Sequence, residues 1–349
     1  MISKPVHIAL ILPSLANTGP IIVSQQLIIA LKQRINFTVF YFDPIHEIDL
    51  EVECIQIRFM QKVDFSKFDI IHCHMFRPDL YARWHGLHKK HKVVSTIHQY
   101  INESLIFSYG PLINKFFSPI WKWSLKKNAA IITLTKHMAE LYKREKLNKE
   151  ILPIYNGVAL HKPTKDLAND EEYKEIKACY HIIGSISQLI NRKGLSQIIE
   201  VLSKDVNLFY IAVGDGPELS LLKKRACEAG VSNRVLFVGH VTHAKDYLSL
   251  IDVFVMPSFS EGFGLAMVEA VAAKVPVVCS SIESFHELFD KSEVYFFEIN
   301  HTDSLLKAIH EAVKDVGKKS DKAFVKYESA YSSNKMGESY LKLYQKLLA

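Results

Sequence analysis

The 349-residue chain has no apolar run long enough to cross a bilayer, no CxxC pair and no low-complexity tract. Its first apolar stretch, Val6–Leu12, falls far short of the roughly 20 residues that a spanning helix needs. Pro13 then interrupts it, with no small-residue cleavage site beyond. The stretch reads as a buried strand, not as an anchor or a leader. The five cysteines, Cys54, Cys73, Cys179, Cys227 and Cys279, are odd in number and scattered. That excludes a disulfide framework and suits buried free thiols in a reduced, cytoplasmic protein. Neither GxGxxG nor GxxxxGK[ST] occurs, which argues against a nicotinamide dehydrogenase and a P-loop nucleotidase. Acidic residues are missing from the whole of 104–136.

What is present fits two soluble domains. Apolar residues make up 48% and charged residues 23% of a length that exceeds the usual single core. The net charge of +6 is uneven: residues 1–164 hold 21 Lys and Arg against 12 Asp and Glu. A basic first half beside a slightly acidic second half points to an anionic partner for the first. Short apolar runs alternate with helical patterns, the signature of parallel α/β architecture. Strands are expected at 6–12, 37–42, 70–74, 93–98, 130–135 and 151–155. A second set is expected at 180–186, 208–213, 234–238, 253–256 and 275–279, with helices starting near Gly194, Glu218, Ala244 and Phe263. Residues 158–174 are polar and carry Pro163, as a linker would. The expected organisation is 1–164, 165–332 and a C-terminal helix, 333–349, that packs back on the first domain.

The sharpest motif is Pro257-Ser-Phe-Ser-Glu261-Gly262-Phe263-Gly264-Leu265-Ala-Met-Val-Glu269. It places one carboxylate in a glycine-flanked loop and another about two turns into the next helix. The amides of such a helix start suit a phosphate, and the glycines let a ligand approach the backbone. A glycine turn with two solvated glutamates fits the same spacing. Upstream, the segment from Gly184 through Gln188, Arg192, Lys193 and Gly194 follows a strand and puts two cations beside a helix start, as a diphosphate requires. Gly214-Asp-Gly216-Pro217 is another strand-to-helix glycine turn, weak by itself.

These segments together resemble glycosyltransferase family 4, retaining enzymes of the GT-B fold. The likeness is specific over 180–280: the Arg-Lys-Gly segment, the Gly-Asp-Gly-Pro turn, Phe237-Val-Gly239, Asp252 through Pro257, and the paired glutamates follow in the family's order. It is looser over 1–160, carried by Leu15 through Pro20, Asp69 through His74, Thr96-Ile-His98 and Asn156-Gly157-Val158. The resemblance implies an α/β chain of two Rossmann-like domains facing each other across a cleft. It further implies that Lys193 contacts the donor diphosphate, that Glu269 binds the ribose and that Glu261 binds the donor sugar beside the reacting carbon. The Gly262, Phe263, Gly264 and Leu265 amides would cradle phosphate, Gly239 would flank the nucleobase, and the Gly19 loop would lie near the donor. Gln188 stands where the family often has arginine, so Arg192 would have to supply the second cation.

In the first half, His98 ends a β-branched strand. A lone histidine there is commonly structural, but the resemblance makes it a contact to the donor sugar or the transition state. His72 and His74 point the same way on a strand without a third ligand at metal spacing. Packing at the strand edge, with one of the two facing the cleft, is expected. The family is metal-independent, so no metal and no cofactor beyond the sugar nucleotide is expected. Gly19-Pro20 replaces the commoner double glycine and loses an N–H. Residues 104–136 interleave Lys115, Lys122, Lys126, Lys127 and Lys136 with Phe107, Tyr109, Phe116, Phe117, Trp121 and Trp123. Such a stretch suits an anionic membrane surface, but amphipathicity more often signals a helix that packs its aromatic face inward while lysines snorkel. No nucleic-acid module is recognisable.

The expectation is therefore a retaining transferase that uses His98, Lys193 and Glu261. It would move a sugar from a UDP- or GDP-type donor to a glycan or lipid-linked acceptor in bacterial surface-polysaccharide assembly, at the inner face of the cell membrane. A nucleotide-sugar epimerase of like fold and a non-catalytic sugar-nucleotide-binding partner are the alternatives. Donor incubated without acceptor separates the first, since only an epimerase converts it. Donor binding without transfer marks the second.

Overall fold

The structure, a computed structural model, describes residues 6–148, 150–165, 167–315 and 317–349, without the side chain of Ser108. The chain divides into two compact units: residues up to Ala159 together with Ala330–Ala349, and Leu160–Ser329. The boundaries thus fall a few residues before the expected 164/165 and 332/333.

The first unit contains β1 (Val6–Leu12), α1 (Gly19–Leu31), β2 (Ile35–Tyr41), β3 (Glu53–Gln56), β4 (Ile70–His74), α2 (Phe76–Trp84), β5 (Lys92–Ile97), α3 (Ile101–Leu125), β6 (Ala130–Thr133), α4 (Lys136–Arg144) and β7 (Ile151–Pro153). The strands form one parallel sheet in the order β3-β2-β1-β4-β5-β6-β7. Ile8 to Leu12 are fully buried, as expected of a central strand covered on both faces. The second unit contains α5 (Glu171–Cys179), β8 (His181–Ile186), α6 (Ser196–Lys204), β9 (Leu208–Val213), α7 (Leu219–Glu228), β10 (Val235–Gly239), β11 (Val253–Met256), α8 (Leu265–Ala272), β12 (Val277–Ser280), α9 (Glu283–Leu288), β13 (Tyr295–Phe297), α10 (Thr302–Val313) and α11 (Lys318–Lys326). Its parallel sheet runs β10-β9-β8-β11-β12-β13. In each sheet the strand order turns back beside the first strand, between β1 and β4 and between β8 and β11. Ligands of open parallel sheets bind at the carboxyl ends of strands at such a reversal.

The last helix, α12 (Ser333–Leu348), belongs to the first unit. Val158 N–H donates to the Tyr331 carbonyl, and Ser333 N–H donates back to Val158. Gly337 faces α1 so closely that a Cβ there would lie 2.8 Å from the Ala30 Cβ. Glycine is what allows the two helices to meet. Tyr340 and Tyr344 of α12 are buried.

The structure corrects several readings. Ala244–Ser249 is a 3₁₀ segment, not an α-helix. The expected linker already contains the start of α5, and Asp246 pins it: the carboxylate accepts from His161 Nε2 at 2.6 Å, from the Thr164 hydroxyl, and from the amides of Thr164 and Lys165. Cys73 and Cys279 are buried, but Cys179 and Cys227 are exposed, so buried thiols describe only part of the set. Strands β3 and β13 were not expected.

Candidate active site

In the second unit the loops that leave β8 and β11, the two strands at the reversal, are laced together. Phe259 N–H donates to the Arg192 carbonyl at 2.9 Å, and Gln197 Nε2 donates to the Pro257 carbonyl at 2.9 Å. Asn191–Lys193 makes a single 3₁₀ turn that Gly194 closes in the left-handed region (φ 63°). A Cβ on Gly194 would collide with the Pro257 carbonyl oxygen. Backbone sign and space both demand glycine there.

This lacing delivers Lys193 and Arg192 to Glu261. Lys193 Nζ lies 2.5 Å from Glu261 Oε1, Arg192 Nη1 lies 3.2 Å from Oε2, and the Ser258 hydroxyl donates to Oε1 at 2.8 Å. Burial alone would raise the Glu261 carboxyl. The two cations outweigh it, helped by the Lys193 and Ser258 hydrogen bonds, and hold it at about 2. Arg192 is buried and also donates to the Ser260 carbonyl at 2.6 Å. Of the two cations its side chain is the less exposed, 9% against 14% for Lys193. Arg192 therefore acts first as a loop staple, and Lys193 is the cation better placed to meet a ligand.

Gly264, again left-handed (φ 86°), precedes α8. A Cβ on it would lie 2.6 Å from the Phe285 ring. The Met267 and Val268 amides turn back to the Gly264 carbonyl, and the helix start is electropositive. Glu269, buried on this helix, has Lys245 Nζ 2.7 Å from Oε1, an approach by distance that makes no hydrogen bond to that oxygen. Sequence reading missed Lys245. The only signal was a lysine in the segment after Gly239, and nothing in the spacing tied it to a helix 24 residues on. Gly239 ends β10 at φ 81°, beside a bulge, and its carbonyl accepts from Gly214. Gln188 is exposed just after β8.

Gly19 and His98 lie in the first unit. Gly19 is exposed and opens α1, with Pro20 inside the first turn where a missing N–H costs nothing. His98 follows β5. Around it, β4 contributes His72 and His74, and β5 contributes Thr96. His74 Nδ1 is 2.8 Å from His98 Nε2, and His72 bonds the Tyr344 hydroxyl and Thr96 Oγ1, each at 2.8 Å. Thr96 in turn bonds the Tyr340 hydroxyl at 3.0 Å. His72 and His74 are both fully buried. Burial pushes all three imidazoles down, His72 and His98 to about 3, with neighbouring histidines adding to the shift at His72 and His74. They are neutral. The structure thus brings Arg192, Lys193 and Glu261 into one cluster and sets Gly262 to Leu265 and Glu269 on the next turn and helix. The first unit offers a neutral histidine at its own sheet edge.

Comparison with known proteins follows the same division. Residues 168–330 match the sequence model described as Glycosyl transferases group 1, and residues 38–162 match that of Glycosyltransferase Family 4. The O-antigen biosynthesis glycosyltransferase WclY of Escherichia coli is 29% identical over 97% of this chain and 98% of its own. The N-acetyl-alpha-D-glucosaminyl L-malate synthase of Bacillus anthracis is 23% identical over 72% of this chain and 66% of its own. Among solved structures, Anabaena HepE in complex with UDP and glucose superposes with a TM-score of 0.81 at 16% identity, covering 97% of this chain and 99% of that one. Sucrose-phosphate synthase from Thermosynechococcus elongatus gives 0.80 at 19% identity, over 98% and 99%. The fold is GT-B, two parallel-sheet α/β domains.

Proposed function

The chain belongs to glycosyltransferase family 4 and is a glycosyltransferase, and on that premise we propose that it moves a sugar from a nucleoside diphosphate to a hydroxyl of a glycan or lipid-linked acceptor, with retention of anomeric configuration. The observation that carries this reading is the Lys193–Arg192–Glu261 cluster beside the start of α8, at the strand-order reversal of the second sheet. Breaking the anomeric bond leaves negative charge on the diphosphate. Lys193 and the α8 amides would stabilise that charge, and no metal step enters the reading. Glu269 would hold the ribose diol, releasing Lys245 toward the phosphate. His98 would donate to the donor sugar, with Gly19 near it, and Gly239 would flank the base.

Glu261 is engaged on both oxygens by two cations and a hydroxyl, which makes it a poor nucleophile. This favours its binding sugar hydroxyls, while a departing phosphate oxygen takes the acceptor proton on the same face. The UDP held by HepE and the O-antigen role in the name of WclY support a uridine-type donor and a surface-polysaccharide acceptor. No helix among the described residues is long and apolar enough to cross a membrane. A lipid-linked acceptor would be met through α3, whose exposed aromatic side chains and lysines suit an anionic surface.

A thermal-shift panel of nucleoside diphosphates and their sugars tests the donor class. A shift of several degrees with one nucleoside diphosphate and its sugar is expected, since a ligand bound only to the native state raises apparent stability. Proton NMR of the product then reads the anomeric configuration. An inverted linkage would sink the retaining assignment, and no shift with any nucleotide would sink the site.

A further inference from the structure

The three buried histidines do more than fill a sheet face. His74 carries the unusual features. Its Nε2 is buried and has no hydrogen-bond partner, and its Nδ1 faces two groups: His98 Nε2 at 2.8 Å and Ser24 Oγ at 3.4 Å. Two separate observations fix where its proton sits. The Ser24 hydroxyl spends its one proton on the Pro20 carbonyl, 2.9 Å away, so toward His74 it offers only lone pairs. A bare Nδ1 would set lone pair against lone pair. It would also force the proton onto Nε2, leaving a buried N–H unpaired, and orphaned buried donors are the rarer and costlier case. With the proton on Nδ1, both contacts are served and the orphan is a bare ring nitrogen.

We propose that His74 is a positioning residue for His98: it donates Nδ1–H to His98 Nε2 and so holds His98 as the tautomer with its own proton on Nδ1. The second imidazole then presents a donor at the sheet edge, suited to a sugar hydroxyl or a phosphate oxygen. This use of His98 rests on the function proposed above. The arrangement is rigid. The His74 ring lies between His72 and His98, with centroids 4.3 Å and 5.1 Å away. His72 is in turn fixed by Tyr344 and Thr96.

The test begins with ¹⁵N-histidine NMR of the ligand-free full chain, which needs no substrate. His98 is expected to show a protonated Nδ1 and a bare, hydrogen-bonded Nε2. A proton on His98 Nε2 in the wild type overturns the proposal. His74→Leu keeps an apolar filling but removes the donor, whereas His74→Asn returns an amide N–H near the position of Nδ1. The leucine variant is expected to show mixed His98 tautomers and a kcat about 10- to 100-fold lower, with KM for the acceptor little changed. The asparagine variant is expected to restore both the spectrum and most of the rate. Equal behaviour of the two variants, with unchanged melting temperature, overturns it. Undiminished turnover in His98→Ala, alongside the expected tautomer, would instead strike the role assigned to His98 in sugar transfer. The two failures are thereby distinguishable.

Discussion

At the residue scale, Glu261 and Glu269 are both buried acids of one motif, yet they are held differently. Glu261 is saturated by Lys193, Arg192 and Ser258, while one oxygen of Glu269 sits beside Lys245 without a hydrogen bond. A ligand has less to displace at Glu269. Glu269→Ala is therefore expected to raise KM for the donor by roughly 10- to 100-fold, the worth of a hydrogen bond to a charged group, with a smaller change in kcat. Lys193→Ala removes a charge needed most when the diphosphate leaves, and is expected to lower kcat by about 100-fold. Steady-state kinetics of both variants check this, and unchanged constants would remove the site. The motif made the glutamates and Lys193 legible, because glycines and acids at those spacings are local features. The burial of Arg192 was not legible. It depends on two loops 68 residues apart in sequence being laced side by side, which no periodicity reports.

At the scale of the element, α3 is the segment whose sequence allowed two outcomes, and its two faces have separated. Gly110, at φ 86° and ψ 170°, breaks the helix just before Pro111. Trp121 and Leu105 pack inward, with Trp121 Nε1 donating to the buried Asp79 at 2.8 Å. Tyr109, Leu112 and Phe116 remain 67%, 75% and 67% exposed. Phe107, Phe117 and Trp123 are exposed as well. An aromatic stripe meant only for the core would have closed like Trp121. The acid-free charge pattern points the same way, since Lys115 and Lys126 stand on the same helix or at its end. The triple variant Tyr109→Ser, Leu112→Ser, Phe116→Ser removes exposed apolar area and should leave the melting temperature nearly unchanged. Sedimentation with vesicles of anionic phospholipid is expected for the wild type at low salt, to be reversed by salt, and to be lost in the variant. Equal sedimentation of both proteins, or none of the wild type, would dismiss the surface. Elsewhere the central strands were readable from continuous β-branched runs. β3 and β13 were not, because a four-residue strand bounded by Glu53 and Gln56 and a three-residue edge strand carry too little pattern.

At the scale of the whole molecule, the two units differ in what acid does to them. In the first, His72, His74 and His98 are buried and neutral, with folded values far below the ordinary 6.5. As pH falls below about 6.5, the unfolded chain binds three protons that the folded unit refuses, so stability is lost. Asp79 works in the opposite sense. Burial raises it to about 7 against the Ser95 and Trp121 hydrogen bonds, so between pH 7 and 4 the folded state takes a proton first and gains. The histidines outnumber Asp79, so the net effect of acid on this unit is a loss of stability. The second unit holds Glu261 and Asp246 at about 2, below their ordinary values because cations and hydrogen bonds outweigh burial. Their contribution is complete above about pH 4.5 and is lost only as pH falls from there toward 2. The first unit, α12 included, should therefore open first. Hydrogen exchange, corrected for intrinsic rate, is expected to accelerate in β4, β5 and α12 between pH 7 and 5 while β8, β9 and β11 stay protected. His72→Phe should narrow that interval by removing one of the three refused protons. Opening of the second unit first, or of both units together, would mean that the histidine cluster does not govern acid stability.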